Sequence, residues 1–455
     1  MTRTRRPVAN TLRVHRDRLE LGQQEVADRL AALAADDDEG PIGLDGHAVS
    51  RHELGLVYPG RRYRQLYGLL YGVEEEELWP RAGRSLAADP LLTASWNQGG
   101  TLKAYAALAS EGEPVQRRKF LLLAGAALTA PAHQWLVHEP GRLAAALNGD
   151  RVTPALADRL PRMIAELRRM DDAHDPAVVL SLAERELAWV GGLLERGSYD
   201  QATGRALHRA LAEIGQITGY MAFDAGDHVR AQRCYLGALR AAHTAGERLL
   251  GAHILKCMAE QAWELGRPQD ALTLIDSALA GVRQRKAAGQ LALLHSWRAI
   301  AHAVLDDRTA CQSSIRAART HADRHDDGQG PSWLYWLSSA DITIKAGEAL
   351  LVLQQFRAAE AMLSEGLATL PVDRHLGDQQ VFLVRMAVAQ VHNNDVEMGL
   401  HTADRVLDLA LQRPSRRAAD RIHELRSLLT PMAASRSVEA FLDRARQVAP
   451  AASSP

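Results

Sequence analysis

Gly226-Asp227-His228-Val229-Arg230-Ala231-Gln232-Arg233-Cys234-Tyr235-Leu236-Gly237-Ala238 and Gly266-Arg267-Pro268-Gln269-Asp270-Ala271-Leu272-Thr273-Leu274-Ile275-Asp276-Ser277-Ala278 are one pattern written twice, 40 residues apart. A glycine, four residues and an alanine open each copy. A small, a large and a small residue follow, at Ala231, Tyr235 and Ala238 and again at Ala271, Ile275 and Ala278. The opening recurs from Gly197 to Ala202, and looser versions of the later set stand at Ala310, Ser314 and Ala317, at Ala359 and Leu363, and at Gly399 and Ala403. Each opening glycine falls where one helix would turn into a second. Small residues there let two antiparallel helices approach, and large ones fill the space between successive pairs. Helical spacing of apolar residues runs along nearly the whole chain, with almost no β-type alternation. The prediction is an all-α protein: a compact unit over 1–80, a linker and helical connector over 81–179, a stack of helical hairpins over 180–430, and a C-terminal helix with a disordered tail over 431–455.

The 455 residues, 47% hydrophobic and 24% charged, have the composition of a globular protein. A formal net charge of -1 supplies no field over the whole molecule, so attraction to nucleic acid must come from a local patch. Only five of the 54 basic residues are lysine, and so general an arginine bias says little about function. Cys234, Cys257 and Cys311 lie far apart with no CxxC pair, against both a zinc site and a disulfide framework. MTRTRRPVAN at the start is charged with no apolar segment behind it, unlike a signal peptide. Arg117-Arg118-Lys119-Phe120-Leu121-Leu122 imitates a twin-arginine signal but lies deep in the chain. Its apolar run is also shorter than the roughly 20 residues a membrane span needs. It reads as a helix opening the second domain, and a cytoplasmic protein with no membrane association is expected.

Within 1–80, residues 11–19 read as a first helix, 21–30 as a second, and 46–53 as a third that Asp45 caps and Gly55 stops. Residues 63–72 give a fourth, ahead of Glu74-Glu75-Glu76-Glu77-Leu78-Trp79. Over residues 11–79 this order, with the motifs Gln23-x-Glu25-Val26-Ala27 and Val49-Ser50-Arg51-x-Glu53, resembles the helix-turn-helix domains of phage repressors and xenobiotic-response-element regulators, which have the lambda-repressor-like fold. That family joins its second and third helices tightly. Here residues 34–43, with Asp36-Asp37-Asp38-Glu39-Gly40, read as an inserted loop that would repel phosphates unless it points away. The resemblance implies that the third helix lies in the major groove of double-stranded DNA. His47, Ser50 and Arg51 would then face the DNA, with Gly46 bringing the backbone close and Arg51 reading a guanine. It also implies Gln23 on a phosphate, Arg61, Arg62 and Arg64 adding sequence-independent affinity, and an arm of Arg3, Arg5 and Arg6. Glu53 matches the family position that pairs with a first-helix arginine, here Arg16. Structural alternatives stay open: His47 as a solvent-exposed or capping residue, Arg61 to Arg64 as a solvated face, the arm without any contact. His52 is expected at the packing edge.

The hairpins over 180–430 resemble the tetratricopeptide repeat, an α-solenoid whose step is about 34 residues. Longer helices, or a hairpin stack of another kind, account for a step nearer 40. In such a stack the first helix of each pair lines a concave surface. The register places Gln216, Tyr220, His253, Lys256, Glu260, Trp263 and His295 toward it, a mixture suited to a peptide, small-molecule or protein effector. The alternative is that Tyr220 and Trp263 are packing and the others solvated. Ser332-Trp333-Leu334-Tyr335-Trp336 is assigned to core or a repeat junction. Together the two parts are similar to actinobacterial regulators and to the peptide-sensing quorum regulators of Gram-positive bacteria. This implies a homodimeric, sequence-specific transcriptional regulator whose repeats bind an effector. An adaptor whose helix-turn-helix does not bind DNA is the alternative. No HExxH, phosphate-binding glycine loop or nucleophile elbow is present, so an enzyme is not expected. Asp171-Asp172-Ala173-His174-Asp175 and His321 with His325, Asp326 and Asp327 read as a loop and a helix end, and no metal or cofactor is expected.

Overall fold

The computed structural model describes residues 12–19, 21–35, 42–53, 57, 59–73, 78–79, 89–109, 122–140, 149–174, 176–283, 287–325, 330–370, 376–412 and 416–448. Its regular structure is helical apart from two strands of two residues each. The first four helices are α1 (Leu12–Arg18), α2 (Gln23–Ala35), α3 (Gly46–Glu53) and α4 (Arg61–Tyr71). Helical spacing gives α2 a buried face of Val26, Ala27, Leu30 and Ala34. Asp45 Oδ1 accepts from the Ala48 backbone N–H at 2.8 Å, which starts α3 as expected. Gly72, with φ 65°, ends α4. These helices close over Leu12, Val49, Leu66, Tyr67, Leu78 and Trp79. Ile42 and Leu44 also pack on this core. The acidic stretch 36–40, the arginines at 3, 5 and 6, Gly55 and the glutamates at 74–77 lie outside the described residues.

Next come α5 (Pro90–Thr93), α6 (Gln98–Ala109), α7 (Ala126–Val137), β1 (Asp150–Arg151), α8 (Pro154–Ala157), α9 (Leu160–Ala173), α10 (Pro176–Arg196) and β2 (Gly197–Ser198). Their side chains Leu91, Trp96, Tyr105, Trp135 and Ile164 enter the same core that continues to Leu353. The described part of 81–179 is thus built into the helical array. The twin-arginine-like residues 117–120 lie outside the description. Beyond them, α7 buries Leu128, Pro131, Ala132 and Trp135. Gly197 falls between α10 and the helix after it, where one helix gives way to the next, and it does so within the short strand β2, paired in parallel with β1.

Five helix pairs follow: α11 (Gln201–Asp224) with α12 (His228–Ala245), α13 (Arg248–Glu264) with α14 (Pro268–Val282), α15 (Ala288–Val304) with α16 (Arg308–Ala322), α17 (Ser339–Val352) with α18 (Phe356–Thr369), and α19 (Leu376–His392) with α20 (Val396–Gln412). A left-handed residue closes each pair: Gly226 (φ 79°), Gly266 (68°), Asp306 (54°), Gln354 (58°) and Asn394 (66°). Glycine takes that conformation at no steric cost, and Asn and Asp tolerate it better than most residues. In three pairs the next residue is an aspartate that caps the second helix: Asp227 accepts from Arg230 N–H, Asp307 from Ala310 N–H and Asp395 from Met398 N–H. Helices of 14 to 24 residues account for the long step. That step is 40 residues from Gly226 to Gly266 to Asp306, 48 to Gln354, and 40 again to Asn394. The eight extra residues fall in the connection before α17, which carries Trp333, Tyr335 and Trp336.

The small-large-small positions sit at the pair contacts. Ala231, Tyr235, Ala238, Ala271, Ile275 and Ala278 are all buried. A Cβ on Gly219 would lie 2.6 Å from the Tyr235 ring, so α11 and α12 meet at a contact that only glycine permits. A second core holds Leu383, Val406 and Leu407 with α21 (Arg416–Leu429) and α22 (Arg436–Val448), whose Val438, Phe441 and Ala445 are buried in it. Among the described residues no helix is long and apolar enough to cross a membrane.

Candidate functional site

Two places among the described residues gather the side chains expected to be functional. The first is α3. Val49 and His52, one helical turn apart, are buried, and His52 Nδ1 lies 3.1 Å from the Tyr67 hydroxyl. Glu53 is fixed from two sides: Arg16 Nε donates to Oε1 at 2.5 Å, and Gln23 Nε2 donates to Oε2 at 2.8 Å. With that face anchored, His47 and Arg51 are exposed together on the opposite face, with Ser50 half-buried between them. The expected Arg16–Glu53 pair is present, and His52 is packed inside.

Four of the residues expected at the DNA, Gln23, Gly46, Arg62 and Arg64, make contacts within the unit itself. Gln23 is turned inward as a donor to Glu53, because a carboxylate so deeply buried needs donors. Gly46 serves the packing of α3 on α2: its N–H donates to Gln24 Oε1 at 3.0 Å, and a Cβ there would meet the Gln24 backbone nitrogen at 3.1 Å. The basic run is not one patch. Arg61 is exposed, whereas Arg62 Nη2 donates to the Ala34 carbonyl at 3.4 Å and Arg64 Nη1 to the Pro59 carbonyl at 2.7 Å.

The second place is a cavity of about 460 Å³ on the inner side of the array. The first helices of successive pairs supply its wall: Gln216 and Tyr220 from α11, His253, Lys256 and Glu260 from α13, Trp297 from α15, Lys345 from α17 and Phe382 from α19. Arg168, Asp171 and Asp172 of α9 close one end, and Trp333, Tyr335 and Trp336 of the long connection form a further wall. Tyr335 donates its hydroxyl to Asp172 Oδ2 at 2.6 Å, tying that connection to α9. Lys256 Nζ lies 5.9, 5.7 and 5.9 Å from the ring centres of Tyr220, Trp297 and Trp336, and Lys345 Nζ lies 4.6 Å from that of Trp297. These are cation–π distances. Burial holds the His253 imidazole well below its usual pKa, assisted by the neighbouring Lys256 and Arg168 charges, so it is neutral. Burial likewise raises the Cys257 thiol.

Five of the seven expected effector residues, Gln216, Tyr220, His253, Lys256 and Glu260, line this cavity. Trp263 and His295 do not. The Trp263 ring packs 5.6 Å from Trp297 and beside the guanidinium groups of Arg385 and Arg421. His295 follows Leu293 and precedes Trp297 by two residues each, about 200° around the helix from both. Its ring stacks 5.5 Å from His321 instead. The assignment of 332–336 to a junction missed that Tyr335 and Trp336 face the cavity. A signal existed: carrying the 40-residue step on from His253 and Cys257 gives Leu293 and Trp297, and the 48-residue step then gives Asp341 and Lys345, all of which line it. Asp171 and Asp172 belong to the cavity as well, whereas Asp175, Asp326 and Asp327 lie outside the described residues. Among the described residues no three His, Cys, Asp or Glu side chains are grouped to hold a metal.

Comparison of the chain with protein-family models and with curated proteins finds no match.

Proposed function

We propose that the protein is a sequence-specific, DNA-binding transcriptional regulator, in which a helix-turn-helix unit of the phage-repressor type reads DNA and a tetratricopeptide-like array carries the effector site. The observation that carries this reading is α3. One face is locked by Val49, His52 and the Arg16–Glu53–Gln23 cluster, and the other offers His47, Ser50 and Arg51 outward. A short helix rigid on one side and bearing an exposed guanidinium on the other suits the major groove, where arginine bonds both acceptors of guanine. Two copies would read paired half-sites. An effector in the cavity would alter that pairing by binding one arrangement of the dimer more tightly than another.

The test is recovery of bound fragments from a genomic DNA library by purified protein at low salt, with Arg51→Ala run beside it. A recurring motif enriched by the wild type and lost with Arg51→Ala is expected. Equal enrichment by both would remove α3 as the reader. Absence of any motif, with and without candidate effectors, would overturn the regulator reading.

A further inference from the structure

Among the described residues the N-terminal helical unit and the array keep separate hydrophobic cores. Relative motion is the default for units that share no core, unless other contacts orient them. One such contact joins α1 to the turn that closes α13. Arg13, exposed on α1, lays its guanidinium over Gly266: a Cβ built on that glycine would lie 2.6 Å from Arg13 Nη1 and 3.1 Å from its Cδ. The turn alone does not demand glycine, since Asn394 makes the same one, φ 66° against 68° at Gly266, with a side chain in place. At Gly266 the missing side chain leaves room for the arginine. Charge supports the same contact. Burial would raise the Glu424 carboxyl of α21, but Arg385 and Arg421, with Arg13 adding to them, hold it below its usual pKa.

The same place is joined to the cavity. Arg385 Nη1 and Arg421 Nη1 each donate to Glu424 Oε2 at 3.3 Å, and Arg421 also pairs with Glu264, the last residue of α13. Both guanidinium groups lie against Trp263, 5.8 and 5.5 Å from its ring centre. Trp263 in turn packs edge-on to Trp297 of the cavity wall at 5.6 Å. In a close-packed interior a shift of Trp297 is passed to Trp263 and on to the arginines that hold Glu424. Trp263, which the repeat register pointed at the cavity, therefore stands behind its wall as a link. His47 and Arg51 stay exposed in this arrangement, so the contact orients the reading face without covering it.

We propose that the turn at Gly266 and the carboxylate of Glu424 form a seat on which the array holds its own DNA-reading unit by Arg13, and that the Trp297–Trp263 contact carries changes in the cavity wall to that seat. In a dimer, the seat fixes how far apart two reading helices stand. This inference rests on the regulator reading for its use, but its first test needs no DNA.

Dyes are attached to the full chain at Gln65→Cys of α4 and Glu397→Cys of α20, both exposed positions, the three native cysteines being buried. Single-molecule energy transfer between them reads the placement of the unit on the array. One narrow distribution is expected for the otherwise unaltered chain, and one about twofold broader for Arg13→Ala and for Gly266→Asn, which leaves α1 untouched. Salt of about 0.5 M should broaden the unaltered chain in the same way, because both Arg13 and Glu424 are exposed enough to be screened. Trp263→Leu, changed only in the link, should broaden it as well, with Trp263→Phe in its place if the leucine variant does not fold. An unchanged distribution in Arg13→Ala, whose exposed side chain the fold does not need, would overturn the seat even if Gly266→Asn fails to fold. An unchanged distribution in the Trp263 variant would overturn the link to the cavity. On DNA, Arg13→Ala should keep the half-site motif and accept a wider range of half-site spacings. Motif selection by the wild type beside an unmoved Arg13→Ala distribution would sink this inference and leave the regulator standing, and the converse would do the reverse.

Discussion

Glu53 shows how much of the N-terminal unit rests on single buried groups. Its side chain is 3% exposed and accepts from Arg16 Nε, Arg16 Nη2 and Gln23 Nε2. Replacing it with alanine leaves the Arg16 guanidinium, 14% exposed, without its carboxylate, a loss of about 3 kcal/mol for a pair this buried. Glu53→Ala should therefore unfold the N-terminal unit at lower denaturant while the repeat array melts as before. A single unchanged transition would show that the pair is dispensable. His243 makes the opposite kind of prediction. Desolvation, reinforced by Arg248, His138 and Arg240, lowers its pKa to about 4, and its ring packs edge-on to Trp96 at 5.2 Å. A histidine depressed in the folded state binds its proton first in the unfolded state. The stability it contributes is whole above the unfolded pKa near 6.5 and is lost as pH falls toward 4, about 2 kcal/mol by pH 5. His208, also lowered to about 4 by burial, acts in the same window. Denaturation midpoints measured from pH 7 to 5 should fall steeply in the wild type and less steeply in His243→Leu. Parallel pH profiles would refute the assignment.

At the scale of elements, the repeat was legible where glycine marked it and faded where other residues took over. Gly226 and Gly266 announce a left-handed turn, but Asp306, Gln354 and Asn394 make the same turn with side chains that also occur elsewhere. The later units therefore read as degenerate although their geometry is not. The break in step from 40 to 48 residues was visible in the spacing, yet its meaning was not. It marks the connection whose aromatic residues wall the cavity, a tertiary contact with α9 that local pattern does not encode. Similarly, motif matching placed α3 correctly but not the inward turn of Gln23, which depends on a carboxylate thirty residues away. Two substitutions test the element reading. Gln354→Gly removes a left-handed non-glycine residue and should raise the unfolding free energy by up to about 1 kcal/mol. Gly219→Val forces a side chain into the Tyr235 ring and should cost about 1–3 kcal/mol. The opposite sign in either case would mean that the turn or the close contact is misassigned.

For the whole molecule, the decisive quantity is how little charge it can bring to DNA. A chain of net charge -1 has no long-range pull on phosphates, and of the proposed contacts among the described residues only His47, Arg51 and Arg61 are exposed. Each phosphate neutralised releases counterions, so the slope of log affinity against log salt is about -0.9 per contact. Arg61, just past the reader and on no base by the proposed docking, would act through phosphate alone. Arg61→Ala should weaken binding to every sequence alike, leave the selected motif unchanged, and flatten the salt slope. The amount of flattening counts the copies on the DNA: about 0.9 for one bound chain and about 1.8 for a symmetric pair. A change near 1.8 alongside a palindromic motif is what the dimeric regulator requires. A change near 0.9 would mean that one chain binds alone, and the effector could then not act by altering how two readers are spaced.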